Sequence, residues 1–175
     1  MQHIKTLAVL VVTSTSLTLA QAQSLYPLST NYYAEVGILA TAIKDNGPTY
    51  NPNSMRLLVG KPLNRNLAIE GMYAFTVSSE NQPGFDAKSS YYGIGLKPQI
   101  ALSDNTDLFA RIGYARSYVT ASTAGEKTFS DWMYSVGVQT KFTQDVYGQL
   151  DYTTYLHRDG LSANALGFSV GIRFY

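Results

Sequence analysis

Asn164 to Tyr175 reads NALGFSVGIRFY, and this stretch decides the fold. From Leu166 the large apolar residues take every second position, as Leu166, Phe168, Val170, Ile172 and Phe174. Gly167, Ser169, Gly171, Arg173 and Tyr175 lie between them. A period of two belongs to a strand, whose successive side chains point to opposite faces. One face here is greasy and the other is small or polar. The pattern runs to the last residue, where a soluble sheet protein more often carries a polar tail.

Working outward from this end, the same period recurs along the chain. Tyr32 to Ile43 sets Ala34, Val36, Ile38 and Ala40 against Glu35, Gly37, Leu39 and Thr41, and Ser54 to Leu63 sets Met55, Leu57 and Val59 against Arg56, Leu58 and Gly60. Asn66 to Val77, Lys88 to Ile100, Leu108 to Ser117, Trp132 to Phe142 and Val146 to Tyr155 obey the same rule. Eight strands of about 10 residues suit a small transmembrane β-barrel. The links alternate as such barrels require. Asn64-Arg65-Asn66, Ser103-Asp104-Asn105 and Thr143-Gln144-Asp145 are tight, whereas Asp45 to Asn53, Ser78 to Ala87 and Ala121 to Ser130 read as longer loops. A fourth link on the long-loop side, His157 to Leu161, is shorter than these.

The charges say which face meets lipid. A Lys or Arg on the lipid side at mid-membrane costs about 2–4 kcal/mol, so mid-strand charges should point inward. Glu35, Arg56, Glu70, Lys97, Arg111, Lys141, Asp151 and Arg173 all share the glycine-bearing or polar face of their strands. Both signs are present, which predicts an interior network of paired acids and bases. Lys61 and Arg116 have the opposite parity but lie near strand ends, where a long side chain can reach the interface. Pro98 also faces outward, near a strand end where a missing donor does least harm. Aromatics gather near strand ends as well, including Tyr32, Tyr33, Tyr73, Tyr114, Trp132, Tyr152 and Tyr155, where interfacial girdles are expected.

Composition excludes several classes. Residues 1–22 read as a secretory signal, with Lys5 before the apolar run LAVLVV and Ala20-Gln21-Ala22 as the cleavage pattern, so the barrel domain is expected over 23–175. Lys5 is the one charged residue in that segment, and the remainder carries 12 basic against 12 acidic residues. A neutral chain offers no case for nucleic acid. The absence of cysteine excludes a disulfide scaffold and cysteine-type zinc sites. His157 is the one histidine after residue 22, so neither a metal nor another cofactor is expected.

NLAIEGMYAF (66–75), LFARIGYARS (108–117) and GFSVGIRF (167–174) resemble the small outer-membrane β-barrel domain family, of the OmpX and OmpA-barrel type. The resemblance covers nearly all of 23–175. It implies an eight-stranded antiparallel up-and-down barrel in the outer membrane of a Gram-negative bacterium. It also implies contact with outer-membrane lipid and lipopolysaccharide, and insertion by the barrel-assembly machinery with periplasmic chaperones. Gly171, Phe174 and Tyr175 would then form the assembly signal; members usually stop on Phe, whereas Tyr175 follows Phe174 here.

For function, the residues separate three classes. His157-Arg158-Asp159-Gly160-Leu161-Ser162 holds a His, an Asp and a Ser within six positions, the residue types an acyl-transferring site uses. Lipid A deacylases, which this segment weakly resembles, carry a further acid beyond the His and Ser, and no Asp or Glu follows Asp159 here. Asp159-Gly160 reads as a hairpin turn, and no catalytic residue is assigned. Transport is disfavoured because eight strands enclose a space just wide enough for side chains. The reading that remains is a non-enzymatic barrel that supports the envelope or displays loops to a host surface or envelope ligand. Its apolar outward face predicts that the mature chain extracts only with detergent and changes gel mobility on boiling; recovery of a soluble monomer without detergent contradicts this.

Overall fold

The structure is a computed structural model, and it describes residues 31–45, 49–78, 87–121, 125–158 and 161–174. The segment 1–22 expected to be a secretory signal, and Tyr175, lie outside the described residues. Eight long strands follow one another: β1 Tyr32–Asp45, β2 Asn53–Asn64, β3 Leu67–Ser78, β4 Ala87–Ala101, β5 Thr106–Ala121, β6 Gly125–Lys141, β7 Val146–Arg158 and β8 Leu161–Phe174. A two-residue strand, Thr49–Tyr50, folds back on the end of β1. Each long strand pairs antiparallel with the next, and β1 pairs with β8 from Tyr32↔Phe174 to Asp45↔Leu161. This last ladder closes the sheet into a barrel and leaves no free edge along β1 or β8. In hydrocarbon an unpaired backbone group costs several kcal/mol, so closure is the condition for spanning at all.

The alternation read from the sequence is the alternation of the wall. Val36, Ile38, Leu57, Ile94, Ile112, Val136, Leu150 and Phe168 face out, while Glu35, Arg56, Glu70, Lys97, Arg111 and Asp151 are buried within. Pro98 is exposed on the outer face, and the β4–β5 ladder runs from Leu96↔Ile112 to Gln99↔Phe109 without a partner for it. The tight links fall at one end of the barrel. There Asn66 N–H bonds Asn64 Oδ1 at 2.8 Å, Thr106 N–H bonds Ser103 Oγ at 3.2 Å and Val146 N–H bonds Thr143 Oγ1 at 2.9 Å, so short polar side chains hold all three turns.

Two expectations are corrected. Tyr33 and Tyr155 belong to the interior and not to an interfacial girdle. Both have the inward parity of their strands, and proximity to a strand end does not override parity. The expected loop Ala121 to Ser130 is largely strand, since β5 and β6 stay paired out to Ala121↔Gly125. His157, Arg158 and Leu161 likewise lie in strands. Above the membrane no lipid demands an apolar face, so backbone pairing continues while the period-two signal fades.

The closing ladder predicts which truncation hurts. Deleting Phe174 and Tyr175 should sharply lower the fraction of heat-modifiable, protease-resistant protein in outer-membrane preparations. Removing two residues from the Ser78 to Ala87 loop should leave that fraction near wild type. The opposite ranking would show that closure is specified elsewhere.

Candidate functional site

The interior is built from two glycines upward. Tyr33 lies opposite Gly60 and Tyr147 opposite Gly171 across their ladders. A Cβ at either glycine would run into the facing ring, so each glycine lets a tyrosine lie flat along the wall. The two rings meet edge to face at 6.3 Å, and their hydroxyls then point at carboxylates. Tyr33 donates to Glu70 at 2.6 Å and Tyr147 to Glu35 at 2.8 Å.

Around these acids the bases converge. Arg111 Nε donates to Glu70 at 2.6 Å and its Nη2 to Glu35 at 3.2 Å. Lys97 Nζ donates to Glu35 at 3.4 Å, to Gln139 at 3.0 Å and to Gln149 at 3.2 Å, and lies 4.6 Å from the Phe109 ring centre. Arg56 grips Asp151 with both terminal nitrogens, at 2.9 and 2.5 Å, and reaches Ser169 at 2.9 Å. Thr153 and Ser135 donate to the same carboxylate. Three buried bases thus face three buried acids. Charge-assisted, forked bonds of this kind are the ones that offset the cost of taking ions out of water. Arg56 Nε, Arg111 Nη1, Ser54 Oγ and Tyr155 OH make no hydrogen bond, although Arg111 Nη1 lies 3.7 Å from Asp151 and so joins the two halves of the cluster electrostatically.

The structure places Lys141 and Arg173 apart from this cluster. Lys141 stands near the turn end, 3.6 Å from Asp107, and donates to the Asp104 carbonyl. Arg173 packs over the Tyr147 ring and donates to the Gln144 carbonyl at 3.3 Å. Of the residues expected to form an assembly signal, Gly171 lies under Tyr147, Phe174 is exposed beside Tyr32, and Tyr175 is outside the described residues.

Toward the loop end the interior changes character. Met72, Ala74, Tyr91, Ala115, Met133, Tyr155 and Ala165 form an apolar layer, with Tyr91 and Tyr155 stacked at 5.2 Å. Reading the inner face for charge misses this layer, although its residues have the correct parity. Between layer and network, a cavity bounded by Leu58, Glu70, Met72, Arg111 and Met133 measures about 10 Å³, close to the space of one water.

At the outer rim the strands part unevenly. The β6–β7 ladder begins at Tyr134↔Thr154, so residues 125–133 of β6 pair with β5 alone among the described residues. Where they part, Asp131 Oδ2 accepts the His157 backbone N–H at 3.4 Å. A bulge between Thr154 and Leu156 shifts the register, and His157 lies opposite Ser162, with Lys44 beyond it on β1. Asp131 thus supplies an acid near His157 that no sequence spacing could reveal. It binds the backbone, however, and the imidazole makes no hydrogen bond to Ser162 or Asp131. Asp159 lies outside the described residues.

Solved structures with the same architecture are small outer-membrane barrels. Ail, the attachment invasion locus protein of Yersinia pestis, is 18% identical with a TM-score of 0.64, over 82% of this chain and 98% of that one. Neisserial surface protein A is 16% identical with a TM-score of 0.66, over 82% and 97%. The N-terminal barrel domain of Pseudomonas aeruginosa OprF is 12% identical with a TM-score of 0.55, over 80% and 97%. No curated protein matches this chain by sequence. The family model described as outer membrane protein beta-barrel domain matches residues 6–174, and the chain therefore belongs to that family of Gram-negative outer-membrane proteins.

Proposed function

We propose that this protein is a non-enzymatic barrel whose interior is a structural plug and whose outer rim is its working surface. The observation that carries the reading is the raised β5–β6 hairpin. Residues 125–133 of β6 present backbone donors and acceptors that no described strand covers. Such an edge is a template for an extended segment of another protein, bound through main-chain hydrogen bonds. The filled interior supports the same reading, because ions and apolar layer together occupy the space a channel would need. An enzymatic role has no support in the His157–Ser162 pairing, which lacks an oriented imidazole.

One similar barrel, Ail, has been solved in complex with the heparin analogue sucrose octasulfate. For this chain, adhesion to a host or envelope component through the loops is the corresponding reading. Lipopolysaccharide would surround the wall, and the assembly machinery would receive the terminal strand.

Two measurements test the reading together. In planar bilayers the protein should give at most small, infrequent current steps; large, stable steps would move transport ahead of attachment. Cells displaying the barrel should bind host-cell or envelope extracts, and Thr128→Pro with Ser130→Pro, which spoils the free edge, should lower that binding several-fold while heat-modifiability persists. Unchanged binding in a folded double variant removes the hairpin from the account.

A further inference from the structure

The open edge of β6 begins at a defined place in the pairing. The β6–β7 ladder climbs from Lys141↔Tyr147 to Tyr134↔Thr154 and stops there, although both strands continue, β6 to Gly125 and β7 to Arg158. Each remains paired on its other side, β6 with β5 and β7 with β8. Loss of strand structure is therefore not the reason for the stop. Carried on in the same register, the next pairs would be Met133 with Tyr155, Trp132 with Leu156, Asp131 with His157 and Ser130 with Arg158.

Asp131 stands where the strands part. Its Oδ2 accepts the His157 backbone N–H at 3.4 Å and its Oδ1 accepts the Trp132 backbone N–H at 2.8 Å, so one carboxylate serves an amide on each strand. Ladder partners need backbones about 4.8 Å apart. A side chain that takes the His157 N–H stands between the two backbones and replaces the β6 carbonyl that a continued ladder would use. Asp131 also shares the inward parity of Phe129 and Met133, of which Met133 belongs to the apolar layer and Phe129 packs against it. Drawing β7 over it would press an ionised group toward that layer, and an unpaired buried carboxylate is costly. An inward-pointing charge is among the means by which proteins stop a strand edge from pairing.

We propose that Asp131 is the positioning residue of the docking edge, a wedge that keeps β7 off β6 and so leaves residues 125–133 open to a partner's strand. The proposal rests on the reading of that edge as a docking template, yet the wedge itself can be tested with no partner present. Its carboxylate is engaged by the protein's own amides at the foot of the edge, and the segment 125–130 above it is what an incoming strand would pair with.

Backbone amide exchange, measured by mass spectrometry on the folded barrel in detergent, reads the wedge directly. In the wild type, 130–133 should exchange faster than 134–141, which pairs on both sides. In Asp131→Val, a strand-forming residue with no acceptor, exchange over 130–133 should slow about tenfold, the scale of one net hydrogen bond at each new pair. Asp131→Asn keeps an acceptor oxygen and should stay closer to the wild type than to Asp131→Val. Docking is read with a fluorescent peptide copying residues 115–121 of β5, a strand that already pairs with 125–131 from the other side. The peptide should bind the wild type and Asp131→Asn, and bind Asp131→Val several-fold more weakly. Unchanged exchange over 130–133 in heat-modifiable Asp131→Val overturns the wedge, since the bulge between Thr154 and Leu156 would then be what parts the strands. Slowed exchange with peptide binding absent from, or equal in, all three proteins upholds the wedge and removes the docking reading instead.

Discussion

The six charges buried in the tube, Glu35, Glu70 and Asp151 against Arg56, Lys97 and Arg111, are the constraint on which the rest of the structure depends. Every strand supplies a member or a direct partner: Glu35 on β1, Arg56 on β2, Glu70 on β3, Lys97 on β4, Arg111 on β5, Gln139 on β6, Asp151 on β7 and Ser169 on β8. The network therefore reads out the register of the whole sheet. A slip of one residue in β1, β2, β3, β4, β5 or β7 would turn a charge toward lipid and leave its partner uncompensated inside, and a slip in β6 or β8 would withdraw a hydrogen-bond partner from a buried cation. Burial of ions is poor evidence of stability, but here it gives each strand a single acceptable register.

The backbone accommodates this arrangement through residues that carry no charge. Gly60 and Gly171 free the space in which Tyr33 and Tyr147 lie down and aim their hydroxyls at Glu70 and Glu35. Phe109 offers its ring to both Lys97 and Arg111. Above the ions, the Tyr91–Tyr155 stack and Met72 and Met133 fill the tube with apolar atoms. Among the described residues the interior is thus largely filled with ions and apolar side chains, which is why the function proposed above lies at the outer rim.

What the sequence disclosed, and what it did not, follows from the same physics. Lipid imposes a strict penalty on each outward position, so the alternation of Leu166, Phe168, Val170 and Ile172, and the inward parity of Arg56 or Asp151, were legible residue by residue. The interior imposes only that volumes fill and charges pair. Parity therefore could not say that Lys141 and Arg173 stand apart near the turns, or that Met72 and Tyr155 form a layer. Tyr33 and Tyr155 were misplaced because an aromatic near a strand end fits a girdle and a plug equally well. The length of the β5–β6 hairpin was hidden because Gly125 to Ser130, GEKTFS, shows no apolar–polar alternation. Asp131 beside His157 depends on a pairing between strands that no spacing along the chain records.

The central claim is that the buried ions act as a matched set. The most direct measurement is a double-mutant cycle on Arg56 and Asp151, read by denaturant unfolding of the folded barrel in lipid vesicles. Arg56→Met alone and Asp151→Leu alone should each cost about 3–5 kcal/mol, because each leaves a buried charge without its partner. The double variant should recover most of that loss. Single losses that simply add in the double variant would contradict the account, since the two residues would then stabilise the barrel independently.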